Sequence, residues 1–351
     1  EEALAAVTAP GLRLSYRVPY GARERRPYLT YSLYALPINA LTGEPLEKPA
    51  EDGRAAPLTP KPLSPMPAGN LKLNREQAIA RVRAHFDVPE EAVLENASYQ
   101  ESIDALTGKE RSYWNFDWSV KSGGEETEWI WARIESDTGI IRNFDRSRYL
   151  LPRPAGAGEG DAGGADGGAA FTQAEAERRA VEIVKQVLPF YTDQLVLQPM
   201  ALTDAEIRSL QYYRAIFQRV IDGVAVENER VHLTFDKATG ELMSFMNDLS
   251  DIAYPAVRPE TIPAEEAERR LLEAYDLVLQ YELVPESDAD SGIPFEKLMI
   301  MMAAGELPPS AGDSVATAKP VYRLVEKYRE KPVFLDAVTG EWRLAETGEA
   351  V

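Results

Sequence analysis

Apolar and polar residues alternate most strictly between Val231 and Asp236. Val231, Leu233 and Phe235 fall on one side of an extended chain, and His232, Thr234 and Asp236 on the other. The next residues, Asp236-Lys237-Ala238-Thr239-Gly240, combine a carboxylate that accepts turn N–H groups with a glycine suited to positive φ, which predicts a hairpin into Leu242–Met246. The same punctuation recurs at Asn39-Ala40-Leu41-Thr42-Gly43, Ser136-Asp137-Thr138-Gly139 and Asp336-Ala337-Val338-Thr339-Gly340. The first copy has Asn for Asp, and the second reads as one residue shorter. Successive glycines stand 96, 101 and 100 residues apart, a period that predicts internal duplication.

Ahead of three of these turns lies a pattern of helical period. Asn74 is a candidate N-cap with Gln77 three residues on, followed by Ala78, Ile79, Val82 and Phe86 on one stripe. Thr172-Gln173-Ala174-Glu175 reads as a capping box before Ala176, Ala180, Val184 and Leu188. Pro263 suits the first turn of a third helix carrying Ala267, Leu271, Tyr275, Val278 and Leu279. Strands are expected at Trp114–Val120, Trp129–Ile134, Ile140–Phe144, Tyr212–Val220, Val224–Asp236, Val321–Val325 and Val333–Asp336.

The resulting division is a β-rich partial repeat over 1–50, a proline-rich connector over 51–69, a helix-and-strand unit over 70–151 and a Gly/Ala-rich linker over 152–169. A second unit follows over 170–258, then a third over 259–351 with an insertion at 285–319. The front segment offers only Glu1–Val7 as a short helix, then Leu12, Leu14 and Tyr16 in alternation, and a Tyr- and Leu-rich stretch from Tyr28 to Ile38.

Charge narrows the partners. The chain has 351 residues, with 38 basic against 57 acidic side chains and a net charge of −19, which opposes phosphate backbones and anionic lipid surfaces. Nucleic acid is therefore not an expected partner. There is no cysteine, so disulfides, thiolate metal sites and a cysteine nucleophile are excluded. No run approaches the ~18 apolar residues of a membrane span. The opening Glu1-Glu2-Ala3, without Met, leads us to expect an exported protein whose signal peptide has been removed.

Candidate chemistry is sparse. The two histidines, His85 and His232, fall in different units without a metalloprotease pattern; His85 is placed near a helix C-terminus, where a cation suits the dipole, and His232 on the polar side of a strand. Serine has no nucleophile-elbow context. The turn aspartates Asp137, Asp236 and Asp336, with Asp161 and Asp166 of the linker, are the residues through which calcium would bind, although turn capping and a plain tether are the simpler roles. Trp114, Trp118, Tyr212 and Tyr213 read mainly as core. Trp129 and Trp131 share one strand face, and become the candidate partner surface if that face is opposite the helix.

The residues resemble the PepSY family, in its secreted YcdB/YcdC-like tandem-repeat branch. The resemblance rests on Arg219-Val220-Ile221-Asp222-Gly223-Val224, on Val231–Asp236 running into Gly240-Glu241, and on Trp114–Trp118 with Asp137-Thr138-Gly139. It covers most of 70–150 and 171–351, with half a unit in front. It implies an α+β fold of tandem cystatin-like modules, each a helix packed on an antiparallel β-sheet. Such modules lie outside the cytoplasm and in the propeptides of some metallopeptidases, and no catalytic residue is implied. The reading is a noncatalytic extracellular or cell-surface protein that binds another protein, with a secreted peptidase as the partner to regulate and with no cofactor. The alternative is a structural subunit of a head-to-tail polymer, in which a neighbouring copy completes the half unit.

Overall fold

The structure is a computed structural model describing residues 2–9, 11–19, 26–45, 56–104, 107–122, 125–148, 171–200, 207, 210–255, 257–285, 316–327 and 332–351. The front segment supplies α1 (Glu2–Val7), β1 (Leu12–Arg17), β2 (Tyr28–Leu33) and β3 (Ile38–Asn39). The first full unit is α2 (Arg75–His85) with β4 (Val93–Ile103), β5 (Glu110–Ser122), β6 (Glu125–Glu135) and β7 (Ile141–Arg148). The second is α3 (Gln173–Val187) with β8 (Leu195–Leu197), β9 (Tyr212–Ile221), β10 (Val224–Asp236) and β11 (Leu242–Asn247). The third is α4 (Ala264–Glu273) with β12 (Tyr275–Pro285), β13 (Ala316–Glu326), β14 (Val333–Asp336) and β15 (Trp342–Leu344). The fold is α+β and mostly antiparallel.

Helix starts follow the expected chemistry. Asn74 and Gln77 form a reciprocal capping box at α2. At α3 the Thr172 hydroxyl accepts the Glu175 N–H, but the Glu175 carboxylate turns instead to Arg178 and Arg179. The stripes are buried as their period requires: Ala78, Val82 and Phe86 on α2, and Ala176, Ala180 and Val184 with Leu188 on α3. The third helix is shorter than its pattern suggested. It stops at Glu273, and Tyr275, Val278 and Leu279 belong to β12. Leu277, Leu279 and Tyr281 alternate there with Asp276, Gln280 and Glu282, so a period of two is mixed with i, i+4 spacings.

The first two units form one continuous sheet in the order β4-β5-β6-β7-β11-β10-β9-β8. They meet through their last strands, where Phe245 lies opposite Phe144, flanked by Ser244 with Asp145 and Met246 with Asn143. Phe144 and Phe245 are each the fifth residue after their turn glycine, so the register has approximate two-fold symmetry. On the helix side Phe86 stacks on Phe144 at 4.6 Å and tilts against Phe245 at 5.3 Å, joining both units in one core.

One helix-to-turn contact recurs in all three full units. The seventh residue past each N-cap is an arginine that donates to the carbonyl of the turn glycine: Arg81 to Gly139 (2.8 Å), Arg179 to Gly240 (3.0 Å) and Arg270 to Gly340 (2.5 Å). The glycines have φ of +68°, +72° and +74°, and their N–H groups bond back four residues to Glu135, Asp236 and Asp336. The second turn is therefore not short: Glu135 is its first residue and Asp137 its third. The same bond closes Asn39–Gly43 and two turns the repeat reading did not include, Asp104–Gly108 and Leu344–Gly348.

The front segment is completed by the other end of the chain. β2 pairs with β14, and β1 pairs in parallel with β10 through Ser15–Ala225 and Tyr16–Val226. Ser15 and Arg17 also reach the Glu227 carboxylate, each at 2.7 Å. Ala267 and Leu271 of α4 bury against Leu335, with Leu12, Tyr31, Leu33 and Trp342 around them. The helix of the third unit thus covers a sheet made from both ends. β12 and β13 form a separate three-stranded sheet with β3.

The connector is docked rather than free. Leu58, Thr59 and Leu63 donate N–H groups to the carbonyls of Leu195, Thr192 and Pro189, and Leu71 and Leu73 to those of Asp137 and Ser136. The 152–169 linker and nearly all of the 285–319 insertion lie outside the described residues.

Candidate partner surface

Alternation along β6 decides which aromatics reach the outside. Ile130, Ala132 and Ile134 are buried under the helices with Phe116 and Trp118 of β5, so Trp129 and Trp131 point to the opposite face. Both are half-buried. Trp129 lies between Ser119 and Ser147, and Trp131 between Asp117 and Asp145. On the same face Arg133 stacks over Tyr113 at 4.0 Å, Ser244 donates to Asp145 at 2.6 Å, and His232 stands opposite Met246. Indole rings among carboxylates, amides and guanidinium groups give a surface with apolar anchors and polar surroundings, the composition of a protein contact. Tyr213 is in the core and Tyr212 is exposed. Trp114 is half-buried on the helix side, its indole N–H on the Leu73 carbonyl at 2.8 Å.

The turn aspartates do not come together. Asp236 Oδ1 accepts the N–H groups of Ala238 and Thr239, and Asp336 Oδ1 those of Val338 and Thr339, while Asp336 Oδ2 also holds Arg343 at 2.7 Å. Asp137 instead accepts from the Ser112 hydroxyl at 2.8 Å, and the Glu135 carboxylate accepts from the Thr138 hydroxyl and from Arg142 rather than from turn N–H groups. Asp161 and Asp166 lie outside the described residues. No group of three or more metal-ligating side chains occurs among the described residues.

His85 and His232 are also apart. His85 borders a cavity of about 250 Å³ on the helix side with Phe86, Arg146 and Arg179, whereas His232 is on the open face. Burial pushes the imidazolium value down at both, and Arg81 adds repulsion at His85. The helix-dipole expectation for a charged His85 is thereby outweighed.

The buried charges are structural pairs. Arg219 and Glu229, with side chains 6% and 3% exposed, meet at 2.5 Å. Glu229 also accepts from the Tyr254 hydroxyl at 2.7 Å and from Ser250. Glu135 similarly holds Arg142 at 2.5 Å. Sequence reading singled out Arg219 through its motif but not Glu229, whose partner is ten residues away across a bulged hairpin. Asp222 and Gly223, both with positive φ, make the turn of that hairpin.

These features define an α+β protein in which helices cover one face of a shared, mostly antiparallel sheet. Residues 75–249, which span both symmetric units, match the family model of the YcdB, YcdC repeated domain. Among solved structures the chain is similar to the Bacillus megaterium YpeB C-terminal domain, at 11% identity and a TM-score of 0.37, over 77% of this chain and 95% of that one. No curated protein matches it significantly. No helix among the described residues is long and apolar enough to cross a membrane.

Proposed function

We propose that this is a noncatalytic PepSY-type protein that acts outside the cytoplasm, without a cofactor, by binding another protein, and that the partner is a secreted peptidase whose activity it regulates. The observation that carries the reading is the position of Trp129 and Trp131, half-exposed on the sheet face away from the helices. The match of residues 75–249 to the YcdB, YcdC repeated domain supports a noncatalytic reading. The pairing of β2 with β14 of the same chain favours this reading over the polymer alternative, whose half unit was to be completed by a neighbouring copy.

The test is inhibition or activation of secreted metallopeptidases by the purified chain, compared with a Trp129→Ala/Trp131→Ala variant. A saturable change in peptidase rate that the double substitution weakens supports the proposal. Turnover of peptide or glycoside substrates by the chain itself, or a peptidase effect untouched by the substitution, overturns it.

A further inference from the structure

β4 is the outermost strand of the large sheet, and from Ala97 to Ile103 it pairs regularly with β5, leaving its other side without a strand among the described residues. Sheet edges are ordinarily protected by lysine, proline, bulges or a covering segment. The stretch Ala97-Ser98-Tyr99-Gln100-Glu101-Ser102-Ile103 has no lysine, arginine or proline, and the irregularity in this strand lies earlier, between Leu94 and Asn96. Tyr99 and Ile103, on the helix side, are 49% and 68% exposed. They border a cavity of about 570 Å³ closed below by Leu73, Ser112 and Ser136.

The second unit shows what such a corner holds when it is filled. The Ser136 N–H bonds to the Ser112 carbonyl at 2.8 Å, and at the equivalent place the Lys237 N–H bonds to the Gln211 carbonyl at 3.1 Å. There β8 is three residues long, and Ile207 and Leu210 pack against the core. The Lys237 ammonium is bonded to the Ile207 carbonyl at 2.7 Å. The filled corner therefore combines apolar side chains with a cation. In the first unit that cation position is Ser136, and the lining carries three carboxylates, Glu101, Glu110 and Asp137, against two cations, Lys72 and Arg111. Neither Glu101 nor Glu110 forms an ion pair among the described residues, and Arg111 is held by Asp251 at 2.7 Å.

We propose that the outer edge of β4 and the cavity at its end dock an extended segment of a partner protein, one whose cavity-facing residues, every second position, are by turns apolar and lysine or arginine, to meet Tyr99, Glu101 and Ile103 on the same face. Backbone pairing to the edge supplies affinity, and the cavity with its carboxylate rim supplies selectivity. A second copy of this chain does not suit the site, because pairing β4 with β4 would bring one Glu101 rim against another. The site is on the edge and helix side of the first unit and does not involve the Trp129–Trp131 face.

The test uses the full chain and two fluorescein-labelled, end-blocked octapeptides, one with Ile and Lys by turns at every second position and Ser between them, the other with Glu replacing Lys. Saturable anisotropy is expected for the lysine peptide, with the glutamate peptide about tenfold or more weaker. Glu101→Lys/Glu110→Lys should reverse that preference. Ile103→Ser and Tyr99→Ser, both at exposed positions, should weaken the lysine peptide by about tenfold. Trp129→Ala/Trp131→Ala should leave this binding unchanged, which separates its outcome from that of the peptidase proposal. No saturable binding, no charge preference, binding insensitive to Ile103→Ser, or a concentration-dependent dimer abolished by that substitution would each overturn the inference.

Discussion

A methyl group added at Gly139 meets two obstacles at once. At φ of +68° any L-residue is in the left-handed region, a cost of about 1–2 kcal/mol. The new Cβ would also lie 2.9 Å from Arg81 Nε, the atom that donates to the Gly139 carbonyl. Displacing that bond at a part-exposed site removes about 1 kcal/mol more. Gly139→Ala should therefore destabilise by about 2–3 kcal/mol. Gly43 is the control. It has φ of +74° in the same kind of turn, with nothing within 4 Å of the added Cβ, so Gly43→Ala should show only the backbone part. In an Arg81→Ala background the Gly139→Ala cost should fall toward the Gly43 value, a coupling of about 1 kcal/mol. Gly340→Ala should behave like Gly139→Ala, since Arg270 Nη1 lies 3.1 Å away. Gly240→Ala should be only partly relieved by Arg179→Ala, because the Phe171 ring is 3.0 Å from the same point. Urea midpoints at constant slope would measure each member of the cycle. Equal costs at Gly43 and Gly139, or no coupling with Arg81, would refute the reasoning and with it the claim that the three helix-to-turn contacts are one repeated device.

Glu229→Gln should cost about 3–5 kcal/mol in urea unfolding because Arg219 stays buried without its counter-charge, whereas Arg219→Met/Glu229→Gln should recover much of that loss. His85 and His232 are held below the ordinary imidazole value in the fold, so the unfolded chain takes up protons first. Stability should fall as pH drops below about 6.5 and level off once the folded histidines are themselves charged. Asp248, raised by burial, works in the opposite sense, and His85→Gln/His232→Gln should flatten the remaining slope in urea midpoints between pH 7 and 5. Leu29→Ala should destabilise by about 2–5 kcal/mol and speed hydrogen exchange in α4 and β14, although both are remote in sequence. Unchanged exchange there would contradict the shared module.

Local signals read correctly wherever local physics decided the outcome. The aromatic alternation of Trp114–Val120 became a core strand, the Asn74–Gln77 box started a helix, and the Asp236 and Asp336 turns capped themselves as their chemistry suggested. Trp129 and Trp131 lie on the face away from the helices, because strand alternation fixes which face each side chain takes. β4 was missed because an edge strand with Asn, Ser, Gln and Glu along it carries little apolar pattern. Glu135 was missed as a turn residue because Asp137 lies two positions on and looks more like the expected carboxylate. The pairing of β2 with β14 had no local signal, as long-range register is set by tertiary packing.

That pairing has a consequence for how the chain is made. The hairpin of β1 and β2 leaves the ribosome well before the helix that covers it, which begins at Ala264, and the strand beside it, which begins at Val333. Throughout synthesis Leu12, Tyr31 and Leu33 lack the cover they have in the finished molecule. The symmetric central pair has every one of its strands before Asp248 and can fold while the β1–β2 hairpin waits, so the contact of β2 with β14 forms after that pair has closed.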